Sequence, residues 1–153
     1  MSRLSDDDRH LFNEGRHTRL YHALGAHVDE QDGRPGVNFA VWAPDASGVS
    51  VFGQFNEWGK GDHQLWPGGS TGVWEGFVEG VGQGDAYKDA VVPRAGGPAK
   101  DKADPFATYA ETPPSTASRV WALDYDWADD DWMETRGGRS AHDAPVAIYE
   151  LHV

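Results

Sequence analysis

The sequence predicts a mainly β fold, an antiparallel sandwich behind a short helical lead. Three observations carry that expectation. From Asp32 onward apolar residues alternate with a period of two, the apolar runs are short, and Gly, Pro and Asp interrupt them at turn spacing. Strands of that kind, joined by turns with no helices between them, pair antiparallel and stack as two layers.

The lead comes first. Ser5 with Asp8 three positions later is a capping-box start. Asp6, Asp7 and Asp8 sit where the positive end of the helix dipole favours them, and Gly15 is the expected stop. Thr18 is expected to cap a second short helix, with Leu20, Tyr21 and Leu24 along one side and Gly25 as terminator. These read as packing elements, and the lead spans residues 1–30.

Asp32-Gly33 then turns the chain into a strand over residues 37–42, with Val37, Phe39 and Val41 on one face. Pro44 to Gly48 makes the next turn and residues 49–52 the next strand; residues 72–78 and 86–92 give two more. Residues 31–110 therefore read as one immunoglobulin-like sandwich. Trp42 and Trp74 lie inside strands and are expected in its core, while Trp66, before Pro67-Gly68-Gly69, fits either a core or an exposed loop.

Past Asp104-Pro105 the pattern turns irregular. Pro113-Pro114 and the acidic, Trp-rich residues 124–132 mark a connector over 111–145. Residues 146–153 are largely apolar, which suits a strand buried on both faces. Such a strand needs parallel neighbours and covering helices, so the chain is expected to be the front piece of a longer protein.

Composition narrows the function. The chain has 153 residues, 25 acidic and 13 basic side chains, and a net charge of -12. Its pI is near 4.8 and its mean hydropathy -0.64. That length supports one core but falls short of the roughly 250 residues of a complete (β/α)8 barrel, which excludes a whole barrel enzyme. Phosphate backbones and anionic lipid are bound by clustered Lys and Arg that displace counterions; with this charge, neither nucleic acid nor membrane is expected as a partner. No run is apolar enough for a signal peptide or a bilayer span, and there is no cysteine, so a cytoplasmic location is expected.

Neither a metal nor a cofactor is expected. His17, His22 and His27 recur every five residues, which does not return to one helical face, and the other histidines show no zinc spacing. Asp124, Asp126 and Asp129 to Asp131 lack a calcium-loop pattern and read as a solvated acidic surface. Gly68-Gly69 and Gly80 to Gly84 read as hairpin loops without a phosphate-binding signature.

Several motifs together carry a family resemblance. They are Leu11-Phe12-Asn13-Glu14-Gly15, Leu20-Tyr21 with Leu24-Gly25-Ala26-His27, Gly36 to Pro44, and Phe55-Asn56-Glu57-Trp58. The series continues through Gly72-Val73-Trp74-Glu75, Tyr87-Lys88, Lys102-Ala103-Asp104-Pro105, Pro113 to Ser118, Trp132-Met133 and Ile148 to His152. In order and spacing they resemble the N-terminal part of bacterial 1,4-α-glucan (glycogen) branching enzymes, over almost the whole chain. Phe-Asn-x-Trp alone is similar to the wider group of family 48 carbohydrate-binding modules.

That resemblance implies an α-glucan-binding module followed by the first strand, residues 146–153, of an α-amylase-type barrel whose catalytic carboxylates lie further on. It implies that this chain holds no catalytic residue. The parent reaction would cleave an α-1,4 link and transfer the cut segment to a 6-hydroxyl. The expected partners are α-glucan and the catalytic barrel of the same polypeptide. A standalone glycogen- or starch-binding module, the front module of a debranching enzyme, and a purely orienting role are the alternatives.

A pyranose offers an apolar C–H face and a rim of hydroxyls, so its site needs an aromatic platform beside hydrogen-bonding side chains. In the wider module group the positions like Trp58 and Lys88 contact glucan, by stacking and by donating to hydroxyls. Alternation independently puts Lys88 on the opposite face from Tyr87 and Val91. Gln54 and Asn56 could add hydrogen bonds from the loop. A Trp after a strand also packs interfaces, and a strand Lys is commonly just solvated; the residues leave both uses open. Two departures from the family bear on this: Arg94 to Asp101 lacks a second aromatic, and Asp89 stands where an aromatic is usual. Asp89 alternates onto the inward face, where it must find a partner, turn outward or shift its pKa.

Overall fold

The computed structural model describes residues 2–139 and 141–152, which fall into two compact units divided after Leu123. The first unit opens with α1 (Asp6–Asn13). The Ser5 hydroxyl accepts from the Asp8 N–H at 3.1 Å while the Asp8 carboxylate accepts from the Ser5 N–H at 2.9 Å, a complete capping box. The second helix expected behind Thr18 is only a 3₁₀ turn, Leu20–His22, and its cap position is Arg19. The chain extends instead of continuing the helix: Gly25, expected as a terminator, begins a strand.

Among the described residues nine strands follow: β1 (Gly25–Gln31), β2 (Arg34–Trp42), β3 (Ala46–Gly53), β4 (His63–Pro67), β5 (Val73–Glu79), β6 (Ala86–Pro93), β7 (Lys100–Lys102), β8 (Tyr109–Ala110) and β9 (Ser118–Arg119). All neighbours pair antiparallel, in the order β1-β2-β5-β4-β3-β6-β9-β8, with β7 beside β6. Asp32 and Gly33, with φ of 52° and 75°, form the tight turn from β1 to β2; two positive φ values in a row suit the right-handed twist of a hairpin. All of β1 but Gln31 lies inside the stretch expected to be a helical lead, and β9 lies beyond the expected end of the sandwich at residue 110.

Strand β4 makes the sandwich. Its first half pairs with β3, through His63 to Leu65, and its second half with β5, through Trp66 and Pro67. The sheet therefore curls, and its two halves bury their apolar faces on each other. Phe39 of β2 meets Tyr87 of β6 edge to face at 5.1 Å, and Val37, Val49, Val51, Leu65, Val78 and Val120 fill the space around them. Each such side chain, fully removed from water, contributes roughly 1.5–3 kcal/mol before entropy is set against it. A second cluster, Leu4, Ala23, Leu24, Ala40 and Val73, lies where the N-terminal segment packs on the outer face of β2 and β5.

Trp74 packs half-buried against the main core and donates its indole N–H to the Ala43 carbonyl at 3.0 Å. Trp42 does not join it. Val37, Phe39 and Val41 point inward, so alternation turns Trp42 outward; it is 57% exposed, edge to face with Phe12 at 6.1 Å. Trp66 also faces out and is 72% exposed.

The second unit holds α2 (Asp130–Arg139), inside the expected irregular connector, with Asp130 and Asp131 in its first turn and Arg136 and Arg139 in its last. Those charges complement the helix dipole, and the Arg139 guanidinium lies 5.8 Å over the Trp132 ring. The expected apolar strand at the C-terminal end is not found: residues 146–152 carry no strand, and Val146, Ile148 and Tyr149 are exposed. A strand without a neighbour leaves its backbone groups unpaired. Val153 lies outside the described residues.

Candidate functional site

The loop after β3 is built by its backbone. Gly53 has an extended conformation, and a Cβ there would stand 2.1 Å from the Ala86 carbonyl oxygen and 2.9 Å from the Phe55 ring, so only glycine fits. Residues 54–56 form a 3₁₀ turn, after which Glu57 and Trp58 take φ of 53° and 62°. Left-handed backbone at non-glycine residues costs on the order of 1–3 kcal/mol each and survives only where other contacts dictate it. Here Asn56 dictates it: its Oδ1 accepts from the Gly53 N–H and its Nδ2 donates to the Gly59 carbonyl, both at 2.9 Å. The Trp58 N–H closes the loop on the Gly53 carbonyl at 2.8 Å.

The consequence is the placement of one indole. Trp58 stands edge to face on Phe52, with ring centroids 5.8 Å apart, and remains 41% exposed. Phe52 is the cross-strand partner of Lys88, so their side chains emerge side by side on the outer face of β3 and β6. The Lys88 ammonium donates to the Thr116 hydroxyl at 2.7 Å. The Lys60 ammonium lies 5.4 Å over the Phe52 ring and pairs with Asp101 at 2.8 Å. A shallow groove of about 230 Å³, lined by Ser50, Lys60, Gln64 and Ala90, adjoins this cluster.

Of the four residues singled out from the sequence, Trp58 and Lys88 thus flank one aromatic ring. Gln54 and Asn56 lie in the loop with side-chain groups committed to backbone, the Gln54 Oε1 accepting from the Ala86 N–H at 3.1 Å. Their bonds here hold the platform in place. Phe52, Lys60 and Thr116 belong to the cluster too. Alternation alone could have placed Phe52 outward, but only the β3–β6 register puts it beside Lys88.

Beneath this face lies Asp89, 1% exposed, with neither carboxylate oxygen hydrogen-bonded among the described residues. Burial, reinforced by the Asp104 charge, holds its pKa well above the ordinary range. Asp104 is raised as well, mainly by burial, although the Tyr87 hydroxyl donates to it at 2.6 Å and the Phe106 N–H at 2.8 Å. Asp89 thus neither turns outward nor finds a hydrogen-bond partner among the described residues, and its pKa is pushed upward.

An exposed indole set on a second aromatic ring, beside the Lys88 ammonium and a groove lined by Ser50, Gln64 and Lys60, can hold a ligand that is apolar on one face and hydroxylated at its rim.

The family described as carbohydrate-binding module 48 (isoamylase N-terminal domain) matches residues 23–107. The 1,4-alpha-glucan branching enzyme GlgB of Albidiferax ferrireducens is 50% identical over 150 residues, which are 97% of this chain and 24% of that protein. The GlgB of Aromatoleum aromaticum is 52% identical over 153 residues, 99% of this chain and 23% of its own. Ligand-free PulA of Klebsiella pneumoniae shares the fold, with a TM-score of 0.54 at 23% identity over 67% of this chain and 10% of its own. The chain spans about a quarter of the length of these branching enzymes and matches their N-terminal part. It belongs to the carbohydrate-binding module 48 family, in the form found at the front of bacterial branching enzymes.

Proposed function

We propose that this chain is the α-glucan-holding front segment of a 1,4-α-glucan branching enzyme. The observation that supports it most is the Trp58–Phe52–Lys88 cluster, which supplies a platform and a donor on one exposed face. A glucan chain lays the C–H face of a pyranose on the Trp58 indole, and its hydroxyls accept from the Lys88 ammonium, displacing or sharing the Thr116 contact. One platform holds a sugar weakly, and retention of a polymer comes from several such contacts acting together. In the whole protein this would keep a growing chain near the catalytic domain.

The transfer itself needs a nucleophile and an acid/base carboxyl about 5 Å apart, by the double-displacement logic of retaining enzymes acting on glycosidic bonds. We place both in the part of the polypeptide beyond this segment. The 153-residue chain is therefore expected to leave the iodine stain of amylose unchanged. Electrophoresis of the chain through a native gel containing glycogen tests the binding role. Wild type should be retarded and Trp58→Ala much less; equal mobility of the two, with and without glycogen, would leave the module only an orienting role.

A further inference from the structure

A groove of about 600 Å³ lies on the other half of the sandwich, over the outer face of β2 and β5. Asn38, Glu75 and Phe77 form its floor, Ser2 and Arg9 one wall, and Trp66 the other. Trp66 is the cross-strand partner of Glu75, so the indole rises directly beside the carboxylate. The two residues differ sharply in their freedom. The Glu75 side chain is only 14% exposed and accepts from the Ser2 hydroxyl at 2.7 and 3.0 Å and from the Leu4 N–H at 3.4 Å, with Arg9 at 3.8 Å. Asn38 is fixed between Gln31 and Asp29. Trp66, by contrast, is 72% exposed.

A flat, open indole over a pre-ordered polar floor suits a sugar better than a protein partner. A protein core laid here would have to bury the Glu75, Arg9 and Asn38 groups against apolar atoms, and interface centres are depleted of charge for that reason. A hydroxyl both donates and accepts, so a pyranose rim satisfies a carboxylate and a guanidinium at once while its C–H face covers the indole. The volume lies within the roughly 300–1,000 Å³ of small-molecule sites, which accommodates a few sugar rings.

We infer that Trp66 is the platform of a second α-glucan contact, independent of Trp58 and on the opposite outer face of the sandwich. This rests on the module's holding α-glucan at all. With platforms on both faces, one branched polymer engages the domain twice, whereas a short oligosaccharide fills each site separately. Glycogen is then retained far better than the affinity of either site for maltoheptaose would give.

The test uses the 153-residue chain with glycogen and maltoheptaose as probes. Trp66→Ala, with Trp58 intact, should weaken retention by glycogen about tenfold, Trp66→Phe should weaken it less, and the double Trp58→Ala/Trp66→Ala chain should lose it altogether. In the Trp58→Ala chain, labelled with nitrogen-15, maltoheptaose should still shift the Trp66 indole N–H resonance; this reading is independent of any effect of Trp66→Ala on folding. Retention of Trp66→Ala equal to wild type, with an unmoved Trp66 indole, overturns the second contact and leaves the first standing if Trp58→Ala still loses binding. A wild-type chain that glycogen does not retain overturns both.

Discussion

Phe52 and Lys88 stand opposite each other across the β3–β6 ladder, and each secures half of the candidate sugar face: the Phe52 ring seats Trp58, and the Lys88 ammonium reaches Thr116. Stacking and hydrogen bonding are thereby supplied from neighbouring strands, with the β-ladder fixing their separation. Lys88→Met keeps the apolar stem and removes only the donor. Glucan affinity measured by calorimetry should fall several-fold, while stability in urea changes by no more than about 0.5 kcal/mol, as expected of a partly exposed group.

Gly53→Ala probes the loop from below. The added methyl would meet the Ala86 carbonyl at 2.1 Å, and a backbone atom cannot swing aside as a side chain can. We expect a loss of about 2–4 kcal/mol in chemical denaturation, in the range of overpacking at a tight site, with loss of glucan retention.

Asn56 separates loop order from sugar contact. Asn56→Ala removes both bonds that span the loop, costing about 1–2 kcal/mol and loosening Trp58. Asn56→Asp still accepts from Gly53 but cannot donate to Gly59, so its stability should fall between wild type and Asn56→Ala. If Asn56 serves by ordering the loop, glucan affinity across the three chains should follow their stability. Affinity lost in Asn56→Asp with stability intact would instead place Asn56 against the sugar.

Asp89 makes the stability pH-dependent in a defined sense. Its folded pKa is raised above the ordinary value of 3.8, so the folded chain binds this proton more tightly than the unfolded chain. Its contribution is full below about pH 3.8 and is lost as the pH rises toward the folded pKa. Asp104, also raised, acts in the same direction. Asp8, lowered to about 2 chiefly by the Ser5 hydroxyl and then by His17, acts oppositely, and its contribution is lost as the pH falls through about 2. Asp89→Asn should therefore stabilise the chain at pH 7.5 by about 1–3 kcal/mol, and the gain should shrink toward zero near pH 4. Urea midpoints at the two pH values measure it; a gain that does not depend on pH would contradict the assignment.

The strands from β2 to β6 were legible in the sequence except for β4, because their inward faces are mostly apolar with a period of two, Asp89 of β6 being an exception. Trp42 illustrates the limit: the alternation that buries Val37, Phe39 and Val41 requires it to face outward, yet its size suggested core. β4 escaped notice because His63-Gln64-Leu65-Trp66-Pro67 buries only Leu65 and shows no alternation. β1 was hidden by its half-exposed pattern, and α2 by Gly137-Gly138 and the lack of an apolar stripe. The candidate site was legible as residue types, Trp58 and Lys88, through family resemblance. Their meeting at Phe52, and the use of Asn56 as a loop tie, depend on register and hydrogen bonds, which residue spacing does not encode.

The most direct measurement is a nitrogen-15 chemical-shift titration of the 153-residue chain with maltoheptaose. The account predicts that the Trp58 indole N–H and the backbone amides of Phe52 and Lys88 shift together along one binding curve. Those three signals standing still at millimolar sugar would contradict it.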